Sequence, residues 1–491
     1  MEIHILLGRL LKIILLGLLW NFSAMGTADT SPPKEIALSE ESDELLLAQG
    51  KKVDLKSVKK RLKRMRALQK KRRKKARARA AKRRKSRFFN PPQERKTEEE
   101  KSIVSDLDFS FFGAINSQLR LFPYPAETVA ADIETREPDD KPNFAPSVAL
   151  KPQFNLKWGD SGQEAKGELF FRYDMEDSQR TQFDIRELYV FFPISQFEFS
   201  LGVKQIFWGV VESVNVANFI NQKDYMEDPV GQQKLGQSMF HTKIFVSDLT
   251  LSLMILPQFR EMDFPDSSSY FAPPLPVLTD QSKFESKDGK NTLELAARIN
   301  YPISNFDLNL IYFDGINRSP RLDIVAQSFT DFVIEPYYFD VTLIGGYGEL
   351  AIKEFLFKVE AVQAKTSFAD EMLSVYGTEY NLSSIAGIST ISFAFEYLDQ
   401  VEIDPNLSPF NDSIFFGANF IFEDDANSNL VVSHLHNDKA QSSGTFLEFS
   451  RRLAENFRFT ASAVLLDIRQ ETPNAVFARD DFVQLDLDWH F

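Results

Sequence analysis

VQLDLDWHF, residues 483–491, alternates strictly: Val483, Leu485, Leu487, Trp489 and Phe491 fall on one parity, and Gln484, Asp486, Asp488 and His490 on the other. A period of two puts alternate side chains on opposite faces of a β-strand. Working back along the chain, the pattern recurs. Phe355, Phe357 and Val359 alternate with Glu354, Lys358 and Glu360; Phe306, Leu308, Leu310 and Tyr312 with Asn305, Asp307 and Asn309; Phe197, Phe199, Leu201 and Val203 with Gln196, Glu198, Ser200 and Lys204. Strands with one aromatic and one charged face suit two environments, a soluble sandwich with a dry core or a membrane barrel with lipid outside and water inside.

Strand length and connection order favour the barrel. Many runs reach ten to thirteen residues, whereas sandwich strands cluster near ~5–6 and membrane-spanning strands need ~9–11. Eighteen strands are predicted, the first at 105–121, the tenth at 336–347 and the last at 481–491, with sixteen as the alternative count. Connections after even strands are mostly tight, as at 193–195, Asp248, 302–304, 423–427 and 453–455. The long ones, 122–146, 208–237, 260–290 and 315–335, all follow odd strands. Short turns on one rim and long loops on the other, with an even count, put both ends of the barrel on the short-turn side. The expected fold is therefore an all-β, transmembrane, antiparallel up-and-down barrel over residues 105–491.

The final strand, closing on Trp489 and Phe491, resembles the carboxy-terminal assembly signal of Gram-negative outer-membrane barrels. A second stretch, RELYVFFPISQFEFSLGVKQIFWGVVESVNVANFINQKD, resembles a hairpin of large porin-like outer-membrane families. Its matching residues are Arg186, Glu187 and Tyr189, then Gly202, Lys204 and Gln205, Trp208 and Gly209, and Asn221 and Asp224. It departs from that pattern at Glu212, at Ala217 and Asn218, and at Gln222. The resemblance implies an outer-membrane location and contacts with lipids, lipopolysaccharide and the barrel assembly machinery.

Upstream of the strands the composition changes twice. Residues 1–28, with Arg9 and Lys12 before an apolar run from Ile13 to Trp20 and small residues from Ser23 to Ala28, read as an export signal. Residues 29–104 read as a charged periplasmic tail, disordered or helical, in which 51–87 hold 22 basic residues and the single acid Asp54. Residues 102–491 instead carry 29 basic and 58 acidic side chains, so the net charge of −13 describes neither part. An acidic body argues against nucleic acid, and behind an export signal the basic tract is expected to meet envelope polyanions such as peptidoglycan carboxylates.

With no cysteine in the chain, disulfides, thiolate metal sites and cysteine nucleophiles are excluded. His434 and His436 share a strand face, but no nucleophile accompanies them, and no enzyme activity, cofactor or metal is predicted. The candidate pore-lining or constriction residues are Glu168, Arg172, Arg186, Glu187, Glu198, Lys204, Gln205, Glu294 and Arg298. Glu187 shares parity with Phe183 and Ile185, so a β-bulge is expected to turn it inward. Loop 208–237, with Trp208, Gly209, Asn221 and Asp224, is expected to fold into the pore. The function these features predict is a porin-like channel for diffusion of small polar solutes; the alternatives are an export conduit with a periplasmic or inner-membrane partner, and a structural or adhesive barrel held to the cell wall by its tail.

Overall fold

Two-faced strands bury one face only by closing a sheet on itself or by packing two sheets together, and the distribution of exposure here selects the first. Among strand residues Phe111 is 58% exposed, Leu201 58%, Phe183 56% and Ile194 60%, while Glu294 and Glu360 are 0% and Glu396 1% exposed. Apolar side chains outside and carboxylates inside are the inverse of a soluble core, and a surface that only a hydrocarbon solvent accommodates.

A computed structural model of the chain describes residues 107–123, 143–159, 161–266, 269–271, 273, 275–328, 331–385, 388–401, 412–437, 442–468 and 481–491. The expected export signal, charged tail and basic tract lie outside the described residues. The strands are β1 (Asp108–Leu121), β2 (Phe144–Trp158), β3 (Gln163–Asp174), β4 (Gln182–Ile194), β5 (Phe197–Lys204), β6 (Gln237–Val246), β7 (Leu249–Leu256), β8 (Lys283–Phe284), β9 (Glu294–Ile303), β10 (Phe306–Ile316), β11 (Arg321–Ala326), β12 (Phe332–Tyr338), β13 (Asp340–Ile352), β14 (Phe355–Thr366), β15 (Asp370–Ile385), β16 (Ile388–Val401), β17 (Ser413–Phe422), β18 (Asn429–Asn437), β19 (Ser442–Ala454), β20 (Phe457–Ile468) and β21 (Phe482–His490). Eighteen of them form one antiparallel sheet in which every strand pairs with its sequence neighbours. The remaining three, β8, β11 and β12, make a small sheet from the β7–β9 and β10–β13 loops. The expected strand at 336–347 therefore divides: its first residues belong to β12, and the barrel strand β13 starts at Asp340.

Closure falls between the first and last strands. β1 pairs with β21 from Leu121↔Val483 to Ala114↔His490, and Gly113 and Phe491 exchange backbone hydrogen bonds of 3.1 and 3.0 Å. On the lumen side Asn116 Nδ2 donates to Asp486 and Asp488, each at 3.0 Å, and Gln118 Nε2 donates to Asp486 at 2.9 Å. On the outer side the Phe491 ring lies 5.9 Å from Phe111 and 5.8 Å from Trp489. The parities of the final strand thus serve both faces of one seam.

The two rims differ as the connection lengths predict. On the rim shared with the barrel ends, two-residue turns place Ser195, Ser247, Ser304 and Lys353 at φ of 55, 55, 59 and 56°, the left-handed geometry that a tight hairpin of twisted strands demands. The opposite rim carries residues 205–236, 257–293 and 317–339.

Because the outer face meets hydrocarbon, Leu485→Arg on β21 is expected to cost about 2–4 kcal/mol, and the lumen-facing Gln484→Arg far less. Urea unfolding of the barrel in phospholipid vesicles measures both; equal costs would refute the assignment of faces.

Candidate functional site

A barrel of eighteen strands has an interior too wide for wall side chains to fill. Here residues 205–236 enter it, and each part of the segment is held by a different stretch of wall.

The entry is built at a kink. Pairing of β3 with β4 runs Glu168↔Glu187 and then Leu169↔Ile185, leaving Arg186 as the extra residue of a bulge. Beyond the bulge the parity inverts, so Leu188 is exposed on the outer face while Glu187 points inward and pairs with Lys166 at 2.5 Å. Arg186, also inward, is buried against Asp184 at 3.2 Å, against Asp224 of the loop, and against the Lys234 carbonyl at 3.1 Å. The returning chain passes so close to the bulge that a Cβ on Gly236 would stand 2.3 Å from the Ile185 carbonyl oxygen, which only glycine avoids. Asn221 ties the two arms together: it accepts from the Ile206 N–H at 2.8 Å and donates to the Lys204 and Leu235 carbonyls at 2.8 and 2.9 Å. Lys234 Nζ donates to the Ile206 and Asn218 carbonyls at 3.1 and 3.2 Å and to the Asn218 side chain. Burial, with Lys223 and Arg318 nearby, lowers this ammonium well below the ordinary lysine range.

The far part of the loop is gripped by two wall carboxylates. Glu360 on β14 accepts from the backbone N–H groups of Val210, Val211 and Ala217 at 2.6, 3.1 and 3.1 Å. Glu396 on β16 accepts from Glu212 and Ser213 N–H at 2.8 and 2.9 Å and from the Ser213 hydroxyl at 2.5 Å. Between them Lys358 reaches Glu212 at 2.7 Å and Glu379 at 2.8 Å. Beneath these bonds Trp208, Ala217 and Ile220 pack on inward-facing Phe313, Leu343 and Val362. Gly209 turns into this stretch at φ +102°, with the Asn215 amide where a Cβ would sit.

On its way back the loop crosses to the other side. Arg318 bridges Glu294 at 2.7 Å and the Ile220 carbonyl at 2.8 Å. Glu227 meets Arg172 at 2.7 Å and Arg180 at 3.6 Å, and its carbonyl accepts from Arg120 at 2.6 Å. Burial works against ionisation of Glu227, but Arg172, Arg180 and Arg120 outweigh it and hold the carboxyl below its ordinary value.

The wall is thus covered unevenly. Among the described residues no hydrogen bond or ion pair joins the loop to β19, β20 or β21, whose inward faces present Glu448, Ser450, Arg458, Thr460, Ser462, Gln484 and Asp486 and also Phe446, Val464, Leu466 and Phe482, on which Tyr270 and Phe271 of the β7–β9 connection pack. Of the residues predicted from sequence, Arg172, Arg186 and Glu294 are buried in ion pairs, and Gln205 donates to the Lys234 carbonyl. Glu168, Glu187, Glu198, Lys204 and Arg298 remain partly open on the inner wall. Trp208, Gly209, Asn221 and Asp224 shape the loop. Arg180, Glu227, Arg318 and Lys234 were not anticipated, since nothing local in the sequence distinguishes them from surface charges. His434 and His436 face outward near the loop rim, rings 6.5 Å apart, with His434 bonded to Thr445 at 2.9 Å.

No protein-family model and no curated protein sequence matches the chain. Among solved structures it is similar to a BenF-like porin from Pseudomonas fluorescens Pf-5, at 11% identity over 79% of this chain and 99% of that one with a TM-score of 0.46. It is similar to OpdQ of Pseudomonas aeruginosa at 10% identity over 78% and 97% with a TM-score of 0.44, and to OccK5 (OpdH) of the same organism at 10% over 80% and 99% with a TM-score of 0.43.

Two outcomes are expected. Arg186→Met strands the Asp224 charge and is expected to cost ~3–5 kcal/mol of unfolding free energy, with Arg186→Met/Asp224→Asn recovering much of it; additive losses would show that the pair is not coupled. Because the Glu227 carboxyl is depressed when folded, its stabilisation is complete above the ordinary value of 4.5 and is lost as pH falls through the lower folded value. Denaturant titrations from pH 7 to pH 3 should therefore give wild type a steeper acid loss than Glu227→Gln, and identical profiles would contradict the assignment.

Proposed function

We propose that the chain is an outer-membrane channel through which small polar solutes pass by diffusion. The observation that carries the reading is the strapped loop: in a barrel of a size that leaves a water-filled lumen, residues 205–236 are pinned to the wall by Glu360, Glu396 and Glu227, and make no hydrogen bond or ion pair among the described residues to β19–β21, whose inner wall carries Glu448, Arg458 and Asp486. A barrel serving purely as an anchor has no need of a loop strapped at several points to the wall of its interior. Selection would then lie with the wall charges beside the passage, rings and patches of one sign favouring ions of the other.

The rim with the short turns is assigned to the periplasm, since barrels inserted from that side expose their long loops outside. Residues 29–104 would hang there, with the basic tract at 51–87 available to peptidoglycan carboxylates or lipopolysaccharide phosphates, and Trp489 and Phe491 would present the closing strand to the assembly machinery.

Single-channel recording of the detergent-folded protein in planar bilayers tests the reading. Discrete open steps are expected, and replacing residues 209–217 by a Gly-Ser linker of equal length should raise the conductance severalfold. A folded barrel silent in both forms would sink the channel and return attention to an export conduit or an anchoring role.

A further inference from the structure

The inner wall of β5, β6, β7 and β9 carries a contiguous polar patch, at one edge of which the loop's Trp208 ring lies 5.8 Å from the Arg298 guanidinium. Register places Ser200 opposite His241, and Lys243 opposite Ser252, which in turn stands opposite Arg298. Such partners sit about 5 Å apart across each pair, and Lys204 lies two pleat repeats beyond Ser200 on the same face of β5. His241 is 5% and Ser252 1% exposed, yet His241 Nε2, Ser252 Oγ and Arg298 Nε find no hydrogen-bond partner among the described residues. A buried polar atom without a partner is costly, and three on adjacent strands call for a common one.

Three cations, Lys204, Lys243 and Arg298, and one acid, Glu198, stand on the same stretch of inner wall. Neither Lys204 nor Arg298 forms an ion pair among the described residues: Lys204 Nζ donates to Ser200 at 3.1 Å and lies 4.2 Å from the Tyr189 ring, and Arg298 donates to the Tyr347 hydroxyl at 3.0 Å. Of the neighbouring acids, Glu198 pairs with Lys243 inside the patch at 3.4 Å, and Glu187 pairs with Lys166 at 2.5 Å.

We propose that this patch is a binding subsite for a phosphate group, carried either as free inorganic phosphate or on a small phosphomonoester. The inference rests on the channel reading and adds to it a solute class. Donors from Lys204, Arg298, His241, Ser252 and Ser200, with Lys243 shared with Glu198, lie at nearby inward positions of four successive strands. Four phosphate oxygens can accept them, as charge-assisted bonds that a halide cannot reproduce in number. The long side chains of Lys204 and Lys243, both partly open to the lumen, swing aside to admit the group and close on it.

The test pairs two readouts on the folded full-length protein: calorimetric titration in detergent, and block of KCl current in bilayers, each with inorganic phosphate and with glycerol 3-phosphate. Binding in the millimolar range or tighter is expected, with Ser252→Ala and Lys204→Met each weakening it about tenfold, the effect of one hydrogen bond to a charged group. Lys365→Met, on the outer face, is the control and should change nothing. Lys204 is partly open, so its variant keeps the test valid if Ser252→Ala fails to fold. Saturation by both ligands identifies free phosphate as sufficient, and by glycerol 3-phosphate alone identifies an ester. No binding to folded wild type, or binding that both variants leave intact, overturns the subsite even where channels conduct. Binding that the variants weaken in a barrel that never conducts upholds the subsite and rejects the channel.

Discussion

In hydrocarbon a backbone N–H or C=O without a partner costs several kcal/mol, so a sheet that crosses a membrane has to close. Everything else in this molecule depends on that requirement. The first and last barrel strands, more than 350 residues apart in the chain, meet along the β1–β21 seam, and the whole sheet is cyclic only because they do. The seam works on both faces at once: Trp489 and Phe491 fill the lipid side, while Asp486 and Asp488 receive Asn116 and Gln118 inside. A shift by one residue would turn the carboxylates to lipid and the aromatics to water.

Closure at eighteen strands creates the second problem, a lumen that wall side chains cannot fill. An irregular segment that enters it brings backbone N–H groups into a partly dry interior, where they need acceptors as the strands do. Glu360 and Glu396 are those acceptors. Each carboxyl group, nearly inaccessible itself, takes several loop N–H groups. Buried acid on the wall and bare backbone on the loop are each unfavourable alone and satisfied together. Arg318 with Glu294, and the arginines around Glu227, repeat the arrangement at the other contacts.

This changes the meaning of the Arg-Glu-x-Tyr to Asn-x-x-Asp segment. Its charged members read from sequence as a constriction lining. In the fold, Arg186 and Asp224 pair in the dry root of the loop, Asn221 clasps the two arms, and Trp208 is packed against the wall. They hold the loop in place within the lumen. The charged groups left partly open on the inner wall, among them Lys204, Glu448 and Arg458, lie on strand positions that carry no local signature beyond inward parity.

The amino-acid sequence by itself determined the strands, their number, which side chains face lipid and which rim carries the short turns, because period-two alternation and turn length are local properties. It also marked the place of the bulge, since a carboxylate at Glu187 on the lipid parity was too costly to stand. It did not disclose that residues 317–339 raise two further strands above the rim. Nor could it say which inward charges are spent on holding the loop and which stay partly open on the inner wall. Glu198 and Glu360 are alike in sequence, each on the inward parity of an alternating strand. Only the path of residues 205–236 through the lumen makes one a half-open wall group and the other a buried acceptor of three backbone N–H groups. That path depends on contacts between strands far apart in the chain, and such contacts exist only once the barrel has closed.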